Sequence, residues 1–213
     1  MEEFNLDALQ SLQELTLGTN NVSRWQGTPQ LLPYNVSTHA YNCAMLYMQL
    51  CFVCKQSMDA RLLCTILVHD NMEAMTGDLL APAKDLAPGS WDSIEQEVQD
   101  KWKKDNKIYR TMAQAFIPIE SDFTERMSTD HLRVLKIVDM LEFLLHVLEE
   151  YKLGNRHCKI LNALKYGGGS LKRKLNDLQQ CANDKRYIDL ATCVRYYYNR
   201  QLSVLSLISD YYV

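Results

Sequence analysis

The chain has 213 residues, 47% of them hydrophobic, enough to bury one sizeable core, so a single domain over residues 1–213 is expected. Its 23 basic and 26 acidic side chains give a formal net charge of −3 and form no long basic block, which argues against a polymeric nucleic-acid partner and leaves room for a small anionic one. Met1-Glu2-Glu3-Phe4 is acidic where a signal peptide is basic, no apolar run approaches the roughly 20 residues of a membrane span, and the seven cysteines fit reduced thiols better than a disulfide framework, so a cytoplasmic protein with no membrane partner is expected.

Leu6, Leu9, Leu12 and Leu15 recur at helical spacing and stop at Gly18, which reads as a C-cap. Gly27, Pro29 and Pro33 then break the pattern, making residues 19–34 a connecting loop. Asn35 or Ser37 can cap a second helix running to about Gln56, and Asp59 a third through Leu62, Leu63, Ile66, Leu67 and Val68, with Gly77 placed to end it. After a loop holding Pro82 and Pro88-Gly89, a long amphipathic helix is expected over about 91–116. Another starts near Thr129 or Asp130 and reaches Gly154, with an apolar face from Leu132 to Leu148.

Gly167-Gly168-Gly169 reads as a break before the final helices and the tyrosine-rich end. It lacks the preceding strand and the Lys-Ser/Thr of a phosphate-binding P-loop. No period-2 run is long enough for a strand and no internal repeat is present, so the expected fold is an all-α helical bundle.

The chemistry concentrates around His69-Asp70. Imidazole nitrogen and carboxylate oxygen side by side can share a divalent ion, and the pair ends an apolar run where unpaired ionisable groups are costly. Glu73, four residues after His69 and three after Asp70, falls on the same face of a continuous helix, and Asp78 follows Gly77 just beyond its end. His39 near the start of the second helix and Asp139 in the apolar run Leu135 to Leu141 are further candidate ligands. Cys51-Phe-Val-Cys54 has the spacing of half a zinc site, but no second pair follows and core packing is the better reading.

Taken together, Arg24-Trp25, Asn35-Val-Ser-Thr-His39, the run from His69-Asp70 through Glu73 and Thr76-Gly77-Asp78 to Pro82-Ala-Lys84, and Val138-Asp139 resemble, in order and spacing, the HD-domain 5′-deoxynucleotidases of the bacterial YfbR type and their phage relatives. The resemblance spans about residues 21–154 and leaves 155–213 as C-terminal helices. It implies a single-domain HD helical bundle in which His39, His69, Asp70 and Asp139 hold one divalent ion, Co²⁺, Mn²⁺, Fe²⁺ or Zn²⁺ with Mg²⁺ admitted.

It further implies Glu73 and Asp78 as catalytic carboxylates, Arg24 on the phosphate, Trp25 against the sugar, and Thr76, Pro82 and Lys84 as further substrate contacts. The expected activity is removal of the 5′-phosphate of a small-molecule deoxynucleotide by a homodimer or higher homo-oligomer. A deoxynucleoside triphosphatase of the phage dATP type is the alternative hydrolase, and a nucleotide-sensing HD scaffold the non-enzymatic one. Where family members often read Pro-Thr-Pro-Val-Lys, this chain has Leu80-Ala81-Pro82-Ala83-Lys84, a departure that bears on base and phosphate-chain preference.

Overall fold

The computed structural model describes residues 17–78, 128–182 and 184–209, the last with side chains to 202, together with residue 13 and scattered positions between 89 and 100. Most of the expected first helix and of the expected helix over 91–116 falls outside the described residues, as do Pro82 and Lys84. The described helices are α1 (Val36–Val53), α2 (Ala60–Val68), the one-turn α3 (Glu73–Thr76), α4 (Thr129–Lys152), α5 (Cys158–Cys181) and α6 (Lys185–Ser209). Among the described residues there is no strand, only one antiparallel bridge between Ser23 and Asn35, and the all-α expectation holds.

The helix ends follow the cap chemistry. Asn35 Oδ1 accepts from the Thr38 N–H (2.8 Å) and starts α1. Asp59 Oδ1 accepts from the N–H groups of Arg61 (2.9 Å) and Leu62 (3.0 Å) and starts α2. Ser128 caps α4 through the His131 N–H (3.2 Å). At the other end of α1, Lys55 takes a left-handed conformation (φ 54°) and the Gln56 N–H turns back to Cys51 O (2.9 Å), so α1 stops at Val53, slightly before the expected Gln56.

Three expectations are corrected. The stretch from Asp59 to Gly77 is not one helix: α2 ends at Val68, residues 69–72 form a turn, and α3 follows. The bonds from Asn71 to Val68 (3.0 Å), Glu73 to Asp70 (2.9 Å) and Ala74 to Asn71 (3.1 Å) are three-residue bonds, so His69 and Asp70 sit on a tightened turn rather than along a helix face. Gly18 does not cap: residues 17–20 are helical, and a Cβ at Gly18 would lie 3.1 Å from the Ala74 Cβ, so the glycine serves close packing. Nor is the triple glycine a break, because it lies inside α5.

The chain divides into two compact units. One comprises residues 1–27, 33–41 and 67–126, the other residues 28–32, 42–66 and 127–213. In the second unit α5 packs on α4, and α6 packs on both. The α4 face is built from Val134, Ile137, Val138, Leu141, Leu144 and Val147, all fully buried at helical spacing. A Cβ at Gly167 would stand 2.5 Å from Leu144 Cδ2, which explains a glycine in mid-helix despite its cost of about 1 kcal/mol relative to alanine. All seven thiols are free, but only Cys43 and Cys51 are buried, so the cysteines are less of a core feature than their apolar neighbourhoods imply.

Glu150, on α4, is fully buried and anchors the loop at residues 28–32 within this unit. It accepts from the backbone N–H groups of Leu31 (2.9 Å) and Leu32 (2.7 Å) and from Asn155 Nδ2 (2.6 Å). Burial pushes its pKa up, yet these three donors, with His146 Nε2 4.0 Å away, outweigh that and hold it below the usual glutamate value. The depressed pKa means that Glu150 stabilises the fold above the unfolded-state value of about 4.3, and that this contribution is lost as the pH falls through the lower folded value. Glu150→Ala is expected to cost about 3 kcal/mol, because three part-buried donors lose a charged acceptor. In urea melts, the gap between wild type and Glu150→Gln should narrow as the pH drops below about 4. A constant gap would mean that the charge of Glu150 contributes nothing.

Candidate metal centre

The loop before α1 is pinned by two backbone bonds across the Ser23–Asn35 bridge, from Arg24 N–H to Tyr34 O (2.9 Å) and from Val36 N–H to Val22 O (3.0 Å). This places Arg24 and Trp25 beside the first turns of α1, which carries His39. Trp25 has φ 56°, a left-handed conformation that costs a bulky L-residue roughly 1–2 kcal/mol. The conformation is held from outside the loop: Asp78 Oδ2, just past α3, accepts the Trp25 N–H at 2.7 Å.

His39 is fully buried. Tyr34 Oη lies 3.1 Å from its Nδ1, which orients the ring and leaves Nε2 directed at Asp70 Oδ2, 3.7 Å away. His69 Nε2 approaches the same carboxylate oxygen at 3.3 Å, and the two imidazole centroids are 5.4 Å apart. One ligand atom each from His39, His69 and Asp70 falls within 4.8 Å of the others, a spacing at which a single ion can touch all three. The donor set suits a first-row divalent cation: two imidazoles and a carboxylate in a largely buried setting. With Nε2 of His39 as the metal-facing atom, Nδ1 carries the proton and donates it to Tyr34 Oη, the outer hydrogen bond that fixes a liganding histidine.

Arg24 belongs to the same cluster. Its Nη1 contacts Asp70 Oδ2 and lies 3.9 Å from Glu73 Oε2, and its guanidinium carbon is 5.7 Å from the centre of the Tyr34 ring. Of the residues singled out in the sequence, the structure therefore brings together His39, His69, Asp70, Glu73 and Arg24, and links Trp25 to Asp78. The Thr76 hydroxyl lies within hydrogen-bond reach of Met72 O (3.3 Å) and Gly77 O (3.1 Å). Asp139 lies on α4 in the second unit, half-buried between Val138 and Leu141. One supporting residue carried no sequence signal, Tyr34, which orients His39; Asp78 was singled out, but not for its bond to the Trp25 backbone.

Comparison with known proteins bears on what this cluster serves. The family model for the YfbR-like 5′-deoxynucleotidases matches residues 11–180. No curated protein matches. Among solved structures, the chain is similar to the cyanophage S-2L HD phosphohydrolase DatZ, determined with dA and one catalytic Zn²⁺ ion. The identity is 18% over 89% of this chain and 95% of that one, with a TM-score of 0.62. It is also similar to an HD-domain phosphohydrolase from Listeria innocua (17% identity, 92% and 87% coverage, TM-score 0.60) and to a conserved hypothetical protein from Pyrococcus furiosus (17% identity, 90% and 99% coverage, TM-score 0.55). At such identities the likeness is one of fold. The family match spans most of the chain and takes in every member of the His-Asp cluster, and on that ground the chain belongs to the YfbR-like 5′-deoxynucleotidase family and is a metal-dependent phosphohydrolase.

Proposed function

We propose that this enzyme removes the 5′-phosphate of 2′-deoxynucleotides, using one divalent ion held by His39, His69, Asp70 and Asp139. The observation that carries the reading is the convergence of His39 and His69 on one oxygen of Asp70, with Arg24 on that same oxygen, inside the segment that matches the family. Asp139 is proposed as the fourth ligand on the resemblance alone, Val138-Asp139 lying inside the segment that matches the family. The DatZ precedent favours Zn²⁺ over the other first-row candidates. When bound, the ion supplies Lewis acidity at the phosphoryl group and lowers the pKa of a water.

The protein's own groups do the rest. Arg24, held among Asp70, Glu73 and Tyr34, presents a planar fork for charge-assisted bonds to phosphate oxygens. Glu73, beside Arg24, positions water or phosphate. Asp78 commits Oδ2 to the Trp25 N–H and keeps Oδ1 for a proton at the attacking water or the leaving 5′-oxygen. Trp25, clamped in its unusual conformation, presents its indole to the sugar edge and leaves no room for a 2′-hydroxyl. Thr76 contributes to the substrate wall, and Pro82 and Lys84 are further proposed contacts.

Selectivity tests this reading. Initial rates of phosphate release would be compared for dAMP against AMP and for dATP against ATP, in the native protein and in Trp25→Ala. The native enzyme is expected to prefer deoxyribose by at least about tenfold, and Trp25→Ala to lose most of that preference, since an added hydroxyl pressed against indole is penalised at the reacting geometry. Equal native rates would contradict the assignment of Trp25, as would a preference that survives the substitution. Faster release from dATP than from dAMP would move the substrate to triphosphates.

A further inference from the structure

Tyr34 touches two different parts of the site through different atoms. It stands two residues before α1, only 4% exposed, in the same compact unit as the His-Asp cluster. Its carbonyl oxygen accepts the Arg24 N–H (2.9 Å), its Oη lies 3.1 Å from His39 Nδ1, and its ring centre is 5.7 Å from the Arg24 guanidinium carbon. The phenol and imidazole rings also meet edge to face, at 89° with centroids 6.0 Å apart, so His39 is held by its ring as well as at one nitrogen.

His39 is the ligand most dependent on such a neighbour. It is fully buried, with Nε2 3.7 Å from Asp70 Oδ2. With its proton on Nε2 the ring would turn an N–H toward Asp70 and could not ligate. Metal binding requires the proton on Nδ1, where the Tyr34 hydroxyl oxygen accepts it. Arg24 presents the complementary problem. Asp70 and Glu73 both draw its Nη1, and each bond to a carboxylate takes a donor away from a phosphate. An aromatic ring attracts a guanidinium without using any of its N–H groups, and the backbone bond to Tyr34 fixes the point from which the Arg24 side chain starts.

On the roles given above to His39 and Arg24, we propose that Tyr34 is a positioning residue shared by metal and phosphate. Its hydroxyl sets His39 for the ion, and its ring steers Arg24 toward the phosphoryl group. One side chain therefore serves both parts of the site, and its two contributions are chemically separable.

The test separates hydroxyl from ring. Zn²⁺ affinity of the chelator-stripped full chain would be read by competition with a chromophoric chelator, and affinity for inorganic phosphate by calorimetric titration in saturating Zn²⁺. Tyr34→Phe keeps the ring and is nearly isosteric. It is expected to weaken Zn²⁺ binding about 10- to 100-fold, the usual effect of removing a ligand's outer partner, with phosphate affinity kept within about twofold. Tyr34→Leu should show the same loss of Zn²⁺ affinity and, in addition, a loss of phosphate affinity of at least about threefold, the scale of a weak cation–π contact. Tyr198→Phe deletes another buried phenol hydroxyl, on α6 and outside the cluster, and should leave both affinities unchanged. Circular dichroism confirms the helical content of each variant. Native Zn²⁺ affinity in Tyr34→Phe, or an equal loss in Tyr198→Phe, would overturn the proposal. So would a phosphate affinity that falls equally in Tyr34→Phe and Tyr34→Leu, or in neither. A wild-type chain that failed to bind Zn²⁺ would overturn the metal centre itself, and the role of Tyr34 with it.

Discussion

Asp70→Ala is expected to lose bound metal and turnover together, with the rate falling at least about a thousandfold, since a metal contributes several kcal/mol to such a transition state. Asp70 is the residue on which the centre converges: His39 Nε2, His69 Nε2 and Arg24 Nη1 all approach its Oδ2. Without it the two imidazoles face a guanidinium with no anion between them, an arrangement that repels a cation. Asp139→Ala should behave in the same way if it is the fourth ligand. Elemental analysis of the purified variants, with circular dichroism to confirm helical content, checks both. Full metal occupancy in Asp70→Ala would show that the ion is held elsewhere, and full occupancy in Asp139→Ala would remove that residue from the shell.

Two substitutions at Asp78 should separate its two roles. Asp78→Ala removes the acceptor that clamps the Trp25 N–H as well as a group able to carry a proton. It should lower the rate at least about a hundredfold, the usual scale for a general acid or base, and erode the preference for deoxyribose by releasing the strained loop. Asp78→Asn keeps an oxygen for the Trp25 N–H but cannot exchange a proton near neutral pH, so it should keep the preference and lose the rate. Steady-state kinetics on dAMP and AMP reads both effects. An asparagine variant with near-normal turnover would make Asp78 a positioning residue alone.

Much of this was legible in the sequence because the relevant signals are local. Cap residues at Asn35 and Asp59, and the apolar spacing along α4, each express a short-range rule, and those helices begin where the residues indicate. The metal-site candidates were legible for a related reason: His39, His69 and Asp70 are ionisable groups placed where burial is costly. What was not legible depends on partners distant in sequence. The turn at residues 69–72 interrupts a pattern that reads as one helix, and it carries His69 and Asp70 of the cluster. Three glycines look like a break, yet Leu144 and Tyr198 stand where two of their side chains would be, and no local pattern reveals that. Glu150 sits in a Leu-Glu-Glu-Tyr-Lys run with nothing local to mark it as buried, and two of the donors it serves, the N–H groups of Leu31 and Leu32, lie more than a hundred residues away. The Asp78–Trp25 bond belongs to the same class.

The central claim is that one divalent ion at the His39-His69-Asp70 cluster makes this chain a deoxynucleotide phosphohydrolase. It is tested most directly by stripping the protein with a chelator and titrating Zn²⁺ or Mn²⁺ back while phosphate release from dAMP is measured. The account predicts an inactive stripped protein whose activity returns with one equivalent of metal per chain and does not return in Asp70→Ala. Undiminished hydrolysis by the stripped protein, or recovery of activity in Asp70→Ala, would contradict it.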